Sequence, residues 1–250
     1  MTEKYNKLSH SPLVSTVVEL RFESEMPSQV IAGLLYSSLM SKTDSPYKEF
    51  KELPIAAMPP ELRDKDINLK YVPHYRISND NYVVGVSNKV ITISCRCKDD
   101  KYQGWEKYFK ESKEVIGIFE KTPGISKEYN RIGVRFVNKF PIDMDVTGKI
   151  SIKIDSPEAI APDDERMIGF TTAVDNNVLR SRITFATKAT FVDEDNPTVP
   201  EDGQFLDIDS FSESAIESGN VAFDLIDKAH DKTEHIFRAI IGSELIKEFE

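Results

Sequence analysis

The segment Arg131-Ile-Gly-Val-Arg-Phe-Val-Asn138 constrains the fold more than any other stretch of this chain. Ile132, Val134, Phe136 and Val137 are apolar, and Arg131, Gly133, Arg135 and Asn138 make up the rest. A period of two is the signature of a β-strand with one face in a core, here with two arginines on the other face. Pro12 to Phe22 reads as a second strand, with Glu19 and Arg21 on one face and Leu20 and Phe22 opposite.

Between these strands the period changes to that of a helix. Val30, Ile31, Leu34, Leu35 and Leu39 are spaced for one buried helical face, with Ser28 in the N-cap region. Residues 44–73 carry Pro46, Pro54, Pro59, Pro60 and Pro73, which predicts extended, irregular chain covering a core or lining a site. Tyr82, Val84 and Val86 alternate on one arm of a hairpin and Val90, Ile91, Ile93 and Cys95 on the other, around Ser87-Asn88-Lys89. A helix over 103–121 follows, with Trp105, Tyr108, Phe109, Val115, Ile116 and Phe119 on its apolar side and Thr122-Pro-Gly124 as its stop.

A second pass of similar layout starts near Gly148. Ile150, Ile152 and Ile154 alternate as a strand, and residues 167–174 and 178–191 form a long hairpin around Asp175-Asn-Asn177. Phe205 to Phe211 is one more strand, and a helix over 220–249 closes the chain with a weak point at Gly242. The expectation is an α+β protein: an antiparallel sheet, in two similar halves, with helices packed on one face. The halves in chain order are 1–146 and 147–250, which could also form one continuous domain.

The net charge of −10 argues against a protein that coats nucleic acid and fits docking on a basic partner, with a protein partner expected. Residues 26–41 form the longest uncharged run, shorter than a membrane span requires. The polar N-terminal residues and the two cysteines point to the cytoplasm. Cys95 and Cys97 share a strand face, which suits buried thiols better than a disulfide or a zinc site.

Arg131 and Arg135 point the same way, roughly 13 Å apart, and could bind a phosphate or carboxylate. Gly133 between them leaves room for a ligand, a backbone or a neighbouring aromatic. Were the two strands neighbours, Glu19 could pair with either arginine. His230, Glu234 and His235, with Asp227 and Asp231, give the last helix a polar face without a zinc-protease pattern. His10 and His74 fall in loops and carry no pattern. Asp207 and Asp209 share a strand face, as in Mg²⁺ sites, and also as in charged edge strands. No phosphate loop, dinucleotide fingerprint or nucleophile elbow occurs, so neither cofactor nor metal is expected.

Pro12-Leu-Val with Glu19-Leu-Arg-Phe22, Tyr102 with Trp105, the Arg131–Asn138 strand, and His230 before Phe237 occur here in a fixed order. Together they resemble a sporadically distributed, largely uncharacterised prokaryotic family of about this length. The resemblance implies an association with defence or mobile elements and no established chemistry. The expected function is a non-catalytic interaction or regulatory protein in a defence or toxin-control module. The alternative is a ligand-binding or hydrolytic protein that recognises a phosphorylated or nucleotide ligand through Arg131, Arg135, Asn138 and Glu19. Single-strand nucleic-acid binding through Tyr102, Trp105 and the arginines is a third reading, opposed by the net charge. The long last helix could cap the core or form a dimer contact.

Overall fold

The computed structural model describes residues 8, 10–41, 46–97, 102–125, 128–151, 165–174, 178–193 and 196–249. In chain order they form β1 (Leu13–Arg21), α1 (Ser28–Met40), β2 (Glu49–Glu52), a 3-10 turn (Pro54–Ala57), α2 (Pro60–Arg63), β3 (Tyr75–Ser78), β4 (Tyr82–Val86) and β5 (Val90–Arg96). Then follow α3 (Trp105–Phe119), β6 (Glu128–Tyr129), β7 (Arg131–Phe140), α4 (Val146–Lys149), β8 (Met167–Val174), β9 (Leu179–Asp193), β10 (Asn196–Ser212), β11 (Ile216–Glu217) and α5 (Asn220–Ile246). The fold is α+β, and its long ladders are antiparallel. No helix among the described residues is long and apolar enough to cross a membrane.

Two compact units divide the chain, and both are discontinuous. The larger holds Ser15–Val134 and Phe211–Ala229; the smaller holds Met1–Val14, Arg135–Ser210 and His230–Glu250. The halves 1–146 and 147–250 describe chain order, whereas these units interleave in sequence.

In the larger unit the strand order is β2-β3-β4-β5-β1-β7. Register places Ile77, Val84, Ile93 and Val18 side by side across four strands, and Tyr75, Val86, Ile91 and Leu20 in the adjacent row. All of these are buried, together with Ile31, Leu35 and Leu39 of α1 and Val115, Ile116 and Phe119 of α3. The opposite face carries Arg76, Gly85, Thr92 and Glu19 in one cross-strand row. Over it lie Tyr71 and Pro73 of the proline-rich segment. A Cβ on Gly85 would sit 2.7 Å from Pro73, so only glycine leaves that proline its seat. The guanidinium of Arg21 stacks 4.0 Å from the ring centre of Tyr71.

Tyr108 of α3 ties the helix layer to the sheet. Its buried hydroxyl accepts from the Val18 N–H at 2.9 Å and donates to the Ile93 carbonyl at 2.5 Å. Val18 and Ile93 face each other in the β1–β5 ladder, so one side chain bridges two strands. Burial pushes the phenol well above its usual pKa, which keeps the donor in place.

The smaller unit has the order β7-β10-β9-β8. Phe140, Ile183, Phe185, Leu206 and Ile208 form a core with Ile236, Phe237, Ile240, Ile241 and Leu245 of α5.

Several expectations need correction. Residues 49–63 contain regular structure, because Pro54 and Pro60 occupy the first turn of a 3-10 turn and a helical turn, where a missing N–H costs nothing. Strands β3, β6 and β11 are further elements that the sequence did not announce. Val30 and Leu34 are exposed, at 41% and 39%, because the buried stripe of α1 runs through Ile31, Ala32, Leu35 and Leu39. Ser28 is the first residue of α1 and not its cap, since Pro27 holds the N-cap position. Residues 146–149 form a helical turn capped by Asp145 just before Ile150, and Ile152 and Ile154 of the expected strand lie outside the described residues. The turn at 175–177 also lies outside them. The last helix breaks at Gly242, whose φ of 67° interrupts it.

Tyr108→Phe strands the Val18 N–H and the Ile93 carbonyl in a dry interior. Its unfolding free energy in urea should fall by about 1–3 kcal/mol, at unchanged m-value.

Candidate functional site

β1 and β7 are neighbours in the larger unit, and the Glu19 carboxylate pairs with Arg131. It also accepts from Arg21 Nε at 2.8 Å. Arg131 therefore leaves solvent, with a side chain only 7% exposed. Its guanidinium lies 4.4 Å from the ring centre of Phe211. Gly133 makes this possible: a Cβ there would meet Arg131 Nη1 at 2.9 Å and Phe211 at 3.0 Å. The space beside the glycine belongs to the chain's own arginine and aromatic, not to a ligand. Carboxylate, two guanidiniums and two aromatic faces (Tyr71 and Phe211) form one set of mutually supporting contacts.

Tyr102 and Trp105 belong to an aromatic cluster around Tyr108. Trp105 stacks on Phe109 at 5.0 Å and meets Tyr108 edge-on at 5.7 Å, and its indole N–H donates to Asp227 at 2.8 Å. Tyr102 meets Tyr108 edge-on at 6.4 Å. These rings pack against one another, which is the work of a core margin.

Arg135 and Asn138 lie in the smaller unit. Arg135 forms a fork with Asp207, Nε to Oδ1 at 2.8 Å and Nη2 to Oδ2 at 2.7 Å. Its side chain is 52% exposed. Asp207 lies on β10, an inner strand between β7 and β9, so its charge neutralises Arg135 and does not guard an edge. Asn138 is 2% exposed and donates to the Leu206 carbonyl at 3.3 Å. By strand parity its side chain lies on the face opposite Arg135, so these two residues of the expected site do not face one ligand. The fork to Asp207 uses two of the five guanidinium N–H groups of Arg135.

On α5, His230 touches Asp231 at 3.3 Å and Phe136 edge-on at 5.7 Å, and Glu234 accepts from Arg238 at 2.6 Å. Cys95 and Cys97 form no disulfide; Cys95 is buried, as expected, and Cys97 half-buried. The Cys97 thiol is pushed up by its contact with Cys95 and by burial, the opposite of a reactive thiolate.

One polar cluster had no sequence signal. His74, 6% exposed, places Nδ1 2.8 Å from the Ser28 hydroxyl, and Arg63 Nη1 lies 2.9 Å and 2.8 Å from its two ring nitrogens. The Ser28 hydroxyl also accepts the Asn88 N–H at 3.0 Å. A serine beside a histidine suggests a nucleophile and its base. Such a base needs a neighbour that stabilises the imidazolium, and here the neighbour is a guanidinium. Burial and Arg63 hold His74 down to about 4, so the ring stays neutral and serves as an acceptor. The cluster links the proline-rich segment, the first turn of α1 and the β4–β5 turn. Residues 28, 63, 74 and 88 are too far apart in sequence to form a motif.

No protein-family model matches the chain, and no curated protein matches it.

Two measurements follow from this geometry. Glu19→Ala leaves the Arg131 charge buried without its carboxylate and should cost about 3 kcal/mol or more in urea unfolding, whereas Arg135→Ala should cost about 1 kcal/mol or less. The folded-state pKa of His74 lies below the ordinary 6.5, so as pH falls the unfolded chain takes up the proton first. Stability is therefore complete above about pH 6.5 and declines toward about pH 4, by up to about 3 kcal/mol. Urea midpoints measured across that window should show His74→Gln with the shallower slope.

Proposed function

We propose that this chain is a non-catalytic interaction protein, one component of a prokaryotic defence or toxin-control module. The observation that carries the first half is the internal use of the arginine strand. Arg131 is held by Glu19 and Phe211, Arg135 by Asp207, and Asn138 by the Leu206 carbonyl. Groups arranged for substrate are poised toward an open position; these are poised toward one another. The Ser28–His74 pair has the wrong third partner for general-base work. The net charge of −10 suits a protein partner better than a phosphate backbone. The defence context rests on the order of motifs from Pro12 to Phe237.

The test is co-purification of the tagged full chain from a prokaryotic host, followed by reconstitution of the complex from pure components. A defined protein partner, eluting with the chain at fixed stoichiometry by light scattering, is the expected result. Turnover of a nucleotide or nucleic acid by the pure protein, lost on Arg135→Ala, would overturn the proposal.

A further inference from the structure

Thr16 of β1 is fully buried, and its hydroxyl has no hydrogen-bond partner. Folded proteins seldom leave a hydroxyl so, because its desolvation is not repaid. The register of the β1–β5 ladder sets Thr16 directly opposite Cys95, so the two side chains project from one face of the sheet. Cys97 follows β5 by one residue, and its thiol contacts that of Cys95. The Cys97 Sγ also lies 3.4 Å from the Cys95 carbonyl, and the Thr16 N–H faces it. Two thiols and both donors of Thr16 thus meet at one end of this ladder. Tyr82 flanks Cys95 from β4 and stacks on buried Tyr108, with 6.1 Å between ring centres. Cys95 is 3% exposed and Cys97 half-buried, so the pair is dry on its inner side and reached from water at Cys97.

The donor set restricts the ligand. Among the described residues no third cysteine, histidine or carboxylate joins the two sulfurs. A structural Zn²⁺ takes four such ligands, and an iron–sulfur cluster takes four cysteines. Hard cations take oxygen. Two thiolates alone suit a soft d10 cation that accepts two-coordination, as Cu(I) does. Binding replaces two S–H bonds by two S–Cu bonds and releases both protons, so a protonated pair is a poor nucleophile yet a competent copper ligand. The product carries one net negative charge, which out of water needs hydrogen-bond donors. The hydroxyl and N–H of Thr16 are such donors on the sulfurs' own side. No ion pair has to open for this. What is given up is a weak S–H contact with a carbonyl, which leaves with the proton.

We propose that Cys95 and Cys97 bind one Cu(I) ion as a two-coordinate bis-thiolate, with the Thr16 hydroxyl donating to a ligating sulfur. The cysteines are the ligands, and Thr16 is a positioning residue that stabilises their charge. The site stands apart from the partner interaction proposed above and does not depend on it.

The test uses the full chain, reduced and under nitrogen, in competition with bicinchoninate for Cu(I), read by the visible absorbance of the chelate. The wild type should withdraw one equivalent of Cu(I). Cys95→Ser and Cys97→Ser should each abolish that withdrawal, with circular dichroism reporting their fold. Thr16→Val keeps the side-chain volume, removes the donor and should weaken binding about tenfold. X-ray absorption of the copper-loaded wild type should show two sulfur neighbours, a readout that holds even where a variant fails to fold. Failure of the wild type to withdraw Cu(I), or equal withdrawal by the Cys95→Ser, Cys97→Ser double variant, overturns the proposal. So does a copper site with nitrogen or oxygen neighbours, or a chain that retains Zn²⁺ against a chelator as firmly as Cu(I). Thr16→Val binding as tightly as the wild type overturns the role given to the hydroxyl.

Discussion

The hydroxyl of Tyr108 sits between two strands and satisfies a backbone donor on one and a backbone acceptor on the other. Everything around it in the larger unit follows from that position. A phenol extends only a fixed distance from its backbone, so the turn of α3 that carries it stands at a set height over the sheet. Val115, Ile116 and Phe119 then meet the apolar rows of β1 and β5, and Trp105 and Tyr102 gather round its ring. Dispersion and burial supply most of the stabilisation, and the apolar rows favour one register. A buried hydroxyl with one donor and one acceptor to satisfy reinforces it.

The opposite face of the same sheet is organised by charge. Glu19 is the shared acceptor of Arg21 and Arg131, and each guanidinium lies over an aromatic ring. Such a face is stable only where every polar group is matched, since an unmatched charge out of water costs more than the pair gains. Internal matching also explains why a strand rich in arginine need not signal a ligand. Arg135, four residues further on, keeps contact with water and is neutralised by the fork to Asp207.

How much of this was legible depends on the range of the interaction. The alternation of β7, the β4–β5 hairpin and the apolar side of α3 are local patterns and appeared where expected. The pairing of Glu19 with one of the arginines could be anticipated from alternation alone, once β1 was placed beside β7. That Arg131 would be the buried one depended on Phe211, far along the chain, folding over Gly133. Asn138 was misplaced because its side chain was grouped with the arginines by neighbourhood, although strand parity sends it to the other face. The prolines of residues 46–73 were read as breakers, and two of them begin helical turns, a distinction set by position and not by residue type. The His74 cluster draws on four separate segments, and no periodicity reports such a meeting.

The interleaving of the two compact units has a consequence for how the chain is made. The larger unit needs Phe211–Ala229 as well as Ser15–Val134, and the smaller needs its first residues, a middle segment and its last helical turns. A chain emerging from the ribosome cannot finish one unit and then start the other. The larger stays incomplete until Ala229 has left the exit tunnel, by which point most of the smaller has been synthesised too. Over that interval β1, β4, β5 and the first half of β7 are available while Phe211, the aromatic cover of Arg131, is not. Their exposed apolar rows at that stage are the surfaces a nascent-chain chaperone would meet.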